Sequence, residues 1–99
     1  MNIKIHSIKF DADKRLINFI NGKVNKLMQF NDDILTAEVF LRLDKSHDLQ
    51  NKITEIKLEV PGSELFAKKQ SKTFEQSTDN AVGALRRQLT KHKEKLRRA

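Results

Sequence analysis

The chain has no cysteine, no tryptophan, no tyrosine, one proline and three glycines in 99 residues. Without cysteine it can form neither a disulfide nor a thiolate ligand or nucleophile, which fits a reducing compartment. Glycine this sparse leaves no room for a phosphate-cradling loop, and no nucleophile elbow is present. No stretch approaches the roughly eighteen apolar residues that a membrane span needs. The opening MNIKIHSIKF alternates polar with apolar residues, where a secretion signal would be continuously apolar. The expectation is a soluble cytoplasmic protein. With only six phenylalanines as aromatic residues, most of them absorbed by core patterns, reading of single-stranded nucleic acid by stacking is disfavoured. Phe40 and Phe66, on the less apolar sides of their segments, are the two weighed as exposed.

Acidic residues are scarce in one place only. Residues 1–62 hold 10 Lys and Arg against 9 Asp and Glu, whereas residues 63–99 hold 10 against 4. A surplus concentrated in this way attracts polyanions, whereas an ordinary solvated surface intersperses both signs. The length suits a single domain, residues 1–99, able to bury roughly 65% of its unfolded surface. The three histidines, His6, His47 and His92, lie on separate segments with no zinc-type spacing, so no metal and no cofactor is expected. Asp32 with Asp33, and Asp44 with Asp48, fall in turns that favour aspartate for local hydrogen bonding. No catalytic signature is present, and the protein is read as a non-enzyme.

Periodicity supplies the elements. Asn2 to Phe10 is a strand candidate whose inward parity changes between Ile5 and Ile8, implying a bulge near Ser7. Asp11 is placed to cap a helix reaching about Gln29, with Leu16, Ile17, Ile20, Val24 and Leu27 as its buried stripe. Gly22 lies opposite that stripe without an evident reason. Leu35, Ala37, Val39, Leu41 and Leu43 alternate with polar or larger neighbours as a strand. Residues 45–51 read as a hairpin loop, and Thr54, Ile56, Leu58 and Val60 alternate as the next strand. Pro61-Gly62 turns the chain into a lysine-rich segment over 64–72, expected at a sheet edge.

Thr73 and Gln76 match a capping box opening a basic C-terminal helix over about 74–97. Its dry stripe runs through Phe74, Thr78, Ala81, Val82, Leu85, Leu89, His92 and Leu96. The order β-α-β-β-β-α defines an α+β two-layer sandwich. Its first two strands are parallel if adjacent, since a helix crosses over between them, and the later ones form an antiparallel meander.

At about 100° per residue from Leu85, Arg86, Lys93 and Arg97 cluster at about 80–120°, and Arg87, Lys91, Lys95 and Arg98 at about 200–280°. Two basic ridges therefore flank the buried stripe. The first helix adds Lys23 and Lys26 on neighbouring surface positions. A joint basic surface of two helices suits the phosphates of folded RNA, which is recognised largely by shape and backbone.

The run Leu85-x-Arg87-Gln88-Leu89-x-Lys91-x-Lys93, with Lys23, Lys26 and Leu27 and the βαβββα order, resembles the short ribosome hibernation promoting factors, the bacterial family that includes ribosome-associated inhibitor A. The resemblance implies a four-stranded mixed sheet with both helices on one face, similar to double-stranded RNA-binding domains. It implies binding to the small ribosomal subunit and its rRNA in the mRNA and tRNA decoding channel, and inhibition of translation under stress or in stationary phase. It carries an RNA-binding role to Lys23, Lys26, Arg87, Lys91 and Lys95. Arg86, Lys93, Arg97 and Arg98 join them on charge and geometry. The chain ends at Ala99, so a short form is expected, without a C-terminal dimerisation domain and monomeric off the ribosome. Pairing of ribosomes with a second hibernation factor and silencing of single ribosomes are both compatible with this. The competing readings are a general double-stranded RNA-binding module, and a protein-interaction module whose basic helix docks on an acidic partner. Docking on a membrane is disfavoured because the apolar face is needed for the core.

Overall fold

The computed structural model describes residues 2–45 and 49–98, the last four for their backbone only. The elements follow in the order β1 Asn2–Ser7, α1 Lys14–Gln29, β2 Thr36–Leu43, β3 Lys52–Val60, β4 Ser63–Ser71 and α2 Phe74–Arg98. The four strands form one sheet in the order β1-β2-β3-β4, with β1 parallel to β2 and the remaining pairs antiparallel. The expected α+β sandwich, parallel crossover, meander and lysine-bearing edge strand β4 are all present. Gly62, at φ +74°, makes the tight β3–β4 turn at a backbone angle that side chains resist.

Alternation decides which side of the sheet is dry. Ala37, Val39 and Leu41 of β2 lie beside Leu58, Ile56 and Thr54 of β3, and all six are buried. Against them pack Ile20, Val24, Leu27 and Met28 of α1 and Ala81, Val82, Leu85 and Leu89 of α2, so both helices cover the same face. One polar seam crosses this core. Thr54 Oγ1 lies 2.6 Å from Ser77 Oγ and 3.3 Å from Thr78 Oγ1, and Ser77 Oγ donates to the Phe74 carbonyl at 3.2 Å. Because Ser77 has one hydrogen to give, Thr54 must donate to Ser77 and accept from Thr78, and the seam is satisfied.

Several local expectations need correction. β1 ends at Ser7 and contains no bulge. Lys9 adopts φ +66°, the chain turns, and Phe10 stacks on Phe74 at 5.1 Å, so the parity change reflects the end of the strand. The cap of α1 is Asp13 and not Asp11, its Oδ1 accepting from the Leu16 N–H at 2.8 Å. β2 begins at Thr36, and Leu35 and Leu43, expected inward, are exposed. The Thr73 hydroxyl accepts from the Gln76 N–H at 3.1 Å, which is the threonine half of the expected capping box. Part of the 45–51 loop, at Ser46, His47 and Asp48, and the side chain of Leu96 lie outside the described residues.

Candidate nucleic-acid interface

The side chains that expose charge on the helical layer are positioned from the core outwards. Ile20, Val24 and Leu27 fix the rotation of α1, which turns Lys23 and Lys26 outward along one ridge. Leu85 and Leu89 do the same for α2. Its roll is further held by Gln88, whose Nε2 donates to the Phe66 carbonyl of edge strand β4 at 2.9 Å. Arg86 and Lys93 consequently face α1, while Arg87 lies on the flank nearer β4.

Two depressions result. Between the helices, Lys26, Phe30, Arg86, Thr90 and Lys93 line a groove of about 470 Å³. On the other flank, Lys69, Asp79, Asn80, Gly83 and Arg87 line one of about 270 Å³. Asp79 joins the two helices, because its Oδ1 also meets Lys23 Nζ at 3.0 Å. Lys23 and Arg87 thus share an acidic neighbour, and Lys23, Lys26, Arg86, Arg87 and Lys93 all stand on the helical layer.

Among the described residues, Lys26, Arg86, Arg87, Lys91 and Lys93 engage no ion pair, and Lys23 is the one cation of the set that does. The open face of the sheet is different. There Arg42 meets Glu55 at 3.0 Å, Lys57 reaches Glu38 and Glu64 at 3.8 and 3.9 Å, and His6 meets Glu38 at 2.8 Å. Acidic partners therefore serve the open sheet face more than the helical layer. The side chains of Lys95, Arg97 and Arg98 lie outside the described residues, although their backbone continues α2.

Sequence reasoning missed three contributors. Lys69 points to the helical side of β4 because it lies beside Thr54 in the register. Asp79 places an acid inside the basic face. Phe30, unremarked in the alternation, is 72% exposed beside Lys26. Helical arithmetic would have found it, since Lys23, Lys26 and Phe30 follow one another at steps of three and four. Of the two phenylalanines weighed as exposed, Phe66 is 49% exposed, whereas Phe40 is half-buried under the His6 ring at 5.0 Å. No group of three or more metal-ligating side chains occurs among the described residues, and no helix is long and apolar enough to cross a membrane.

The chain is thus an α+β sandwich with two cation-bearing helices on one face of a four-stranded mixed sheet. The family model described as sigma 54 modulation protein / S30EA ribosomal protein matches residues 3–97, and the chain belongs to that family. It is 32% identical to the ribosome hibernation promoting factor of Klebsiella oxytoca, over 98% of this chain and 96% of that protein. It is 31% identical to the ribosome hibernation promoting factor of Escherichia coli K12, over 98% of each. Among solved structures, a ribosomal subunit interface protein from Coxiella burnetii superposes with a TM-score of 0.85 at 22% identity, covering 95% of this chain and 99% of that one. The N-terminal domain of Thermus thermophilus Protein Y gives 0.78 at 22% identity, over 93% and 99%. At those identities the structural likeness speaks for the fold.

Proposed function

We propose that the chain is a ribosome hibernation factor without catalytic activity, acting in the cytoplasm as a single ribosome-binding domain. In this reading it binds the small ribosomal subunit in the decoding channel and stops translation under stress by occupying the space that mRNA and tRNA need. The observation that carries the proposal is the set of unpaired cations of α1 and α2 on one side of the sandwich, opposite a sheet face whose charges cancel. The names of the relatives supply the ribosome as the polyanion. The binding residues are Lys23, Lys26, Arg86, Arg87, Lys91 and Lys93, extended along α2 by Lys95, Arg97 and Arg98. Rigid presentation supports this. The helices are locked by a common core, so little ordering is lost when a charged surface docks.

Cosedimentation with purified small subunits tests the proposal. Wild-type binding should fall steeply with salt, log affinity losing about 0.7 to 0.9 per decade of salt for each phosphate neutralised. The double substitution Arg87→Glu with Lys91→Glu should abolish cosedimentation at moderate salt while leaving the thermal midpoint nearly unchanged, because both side chains are exposed. Unaltered cosedimentation would sink the proposal, and displacement by excess duplex RNA would replace it with a general double-stranded RNA binder. A gradient profile of a lysate separates single from paired ribosomes.

A further inference from the structure

Phe30 is the most exposed aromatic side chain among the described residues, at 72%, against 49% for Phe66. A ring left in water forgoes the stabilisation that burial would bring, and this one stands in a groove that it shares with Leu27, Asn31 and Thr90 as well as with cations. Its surroundings are specific. Lys26, Arg86 and Lys93 line the same groove, and Lys93 Nζ lies 3.5 Å from the Phe30 carbonyl oxygen.

The backbone beneath the ring is fixed. Asn31, the next residue, is buried, and its Nδ2 donates to the Leu27 carbonyl at 2.8 Å while its N–H donates to the Met28 carbonyl at 3.2 Å. The Ile34 N–H then donates to the Asn31 carbonyl at 3.2 Å. Asn31 therefore takes the inward position at the end of α1 and leaves Phe30 outward, continuing the Lys23–Lys26 ridge.

From this geometry we infer that Phe30 is a stacking platform for an unpaired base of the bound RNA, whose flanking phosphates are held by Lys26, Arg86 and Lys93. The inference rests on the ribosomal RNA reading above and adds a base-contacting residue to a surface otherwise read as contacting backbone. The occupant follows from charge complementarity. A flat apolar ring ringed by three cations matches a ligand that joins a flat aromatic group to anions at short range, which is the composition of a nucleotide. An acidic peptide would satisfy the cations and leave the ring without a partner of matching shape. The ring face also accepts any base, so the platform confers affinity more than sequence choice.

The test compares full-length variants on small subunits. Phe30→Ala should weaken binding by roughly fivefold to 150-fold, the range seen when a stacked aromatic is removed, with an unchanged salt slope because no phosphate contact is lost. Phe30→Leu should weaken it similarly and Phe30→Tyr should retain it. Full affinity in Phe30→Leu would overturn stacking in favour of plain apolar contact. Full affinity in Phe30→Ala alongside loss in the Arg87→Glu, Lys91→Glu protein would overturn the platform and leave the ribosome-binding reading intact. Full affinity in both would overturn the two together. An independent readout uses the absence of tryptophan from the chain. In Phe30→Trp the single indole should be quenched by naked small-subunit rRNA and not by inorganic polyphosphate. Equal quenching by both, or by neither, would overturn the platform.

Discussion

Gly22 occupies the middle of α1, and a Cβ placed on it would meet nothing within 4 Å. Neither packing nor a positive φ requires glycine there, so the residue only loosens the helix. Gly22→Ala should stabilise the protein by about 0.4–1 kcal/mol, raising the thermal midpoint by a few degrees. A lower midpoint in calorimetry would contradict the open helical geometry. Thr54 has the opposite character. It is fully buried, donates to Ser77 and is the acceptor for Thr78. Ser77 keeps the Phe74 carbonyl when Thr54 is replaced by valine, but Thr78 loses its acceptor in a dry environment. Thr54→Val should therefore cost about 1–3 kcal/mol. A urea titration should show a lower midpoint with an unchanged slope, since the surface exposed on unfolding stays the same. An unchanged midpoint would mean that the seam contributes specificity without stability.

At the scale of elements, the first turn of α1 distinguishes two aspartates that a local pattern cannot. Asp11 and Asp13 both precede the apolar stripe and both have the right chemistry for a cap. The choice is made upstream, where β1 stops at Ser7 and Lys9 turns through a left-handed angle, an event with no glycine or proline to announce it. Asp13→Ala should cost about 1 kcal/mol by leaving the Leu16 N–H without its acceptor, and Asp11→Ala only a few tenths. Equal losses in parallel thermal melts would contradict the cap assignment. The strands with clean two-residue periodicity, β2 and β3, were legible because each has one wet and one dry face. Their ends were not legible, because Leu35 and Leu43 continue the alternation past the cover that the helices provide. The edge position of β4 was legible from Lys68, Lys69 and Lys72. The inward turn of Lys69 could be seen only once its register against Thr54 was known.

For the whole molecule, the cationic layer was legible as two ridges on α2 and a pair on α1, since helical geometry alone sorts those residues. What helical geometry could not supply was the packing of one helix against the other, and with it the acid between them. Asp79 pairs with Lys23 across the helices and also lines the depression beside Arg87, so it lowers the potential at the Lys23 end of the proposed RNA-binding face. Both members of the pair are about half exposed, and such a bridge adds little to stability. Asp79→Asn should consequently leave the fold intact, release Lys23 and raise affinity for small subunits by roughly threefold to tenfold at low ionic strength, the gain shrinking as salt screens it. Glu38→Gln is the matched control. It changes the net charge by the same amount on the open sheet face, where Glu38 serves His6 and Lys57. If net charge alone governed binding, the two variants would gain equally. If the helical layer is the face that docks, Asp79→Asn gains and Glu38→Gln does not. The reverse order, with the larger gain from Glu38→Gln, would move the interface to the other side of the sandwich.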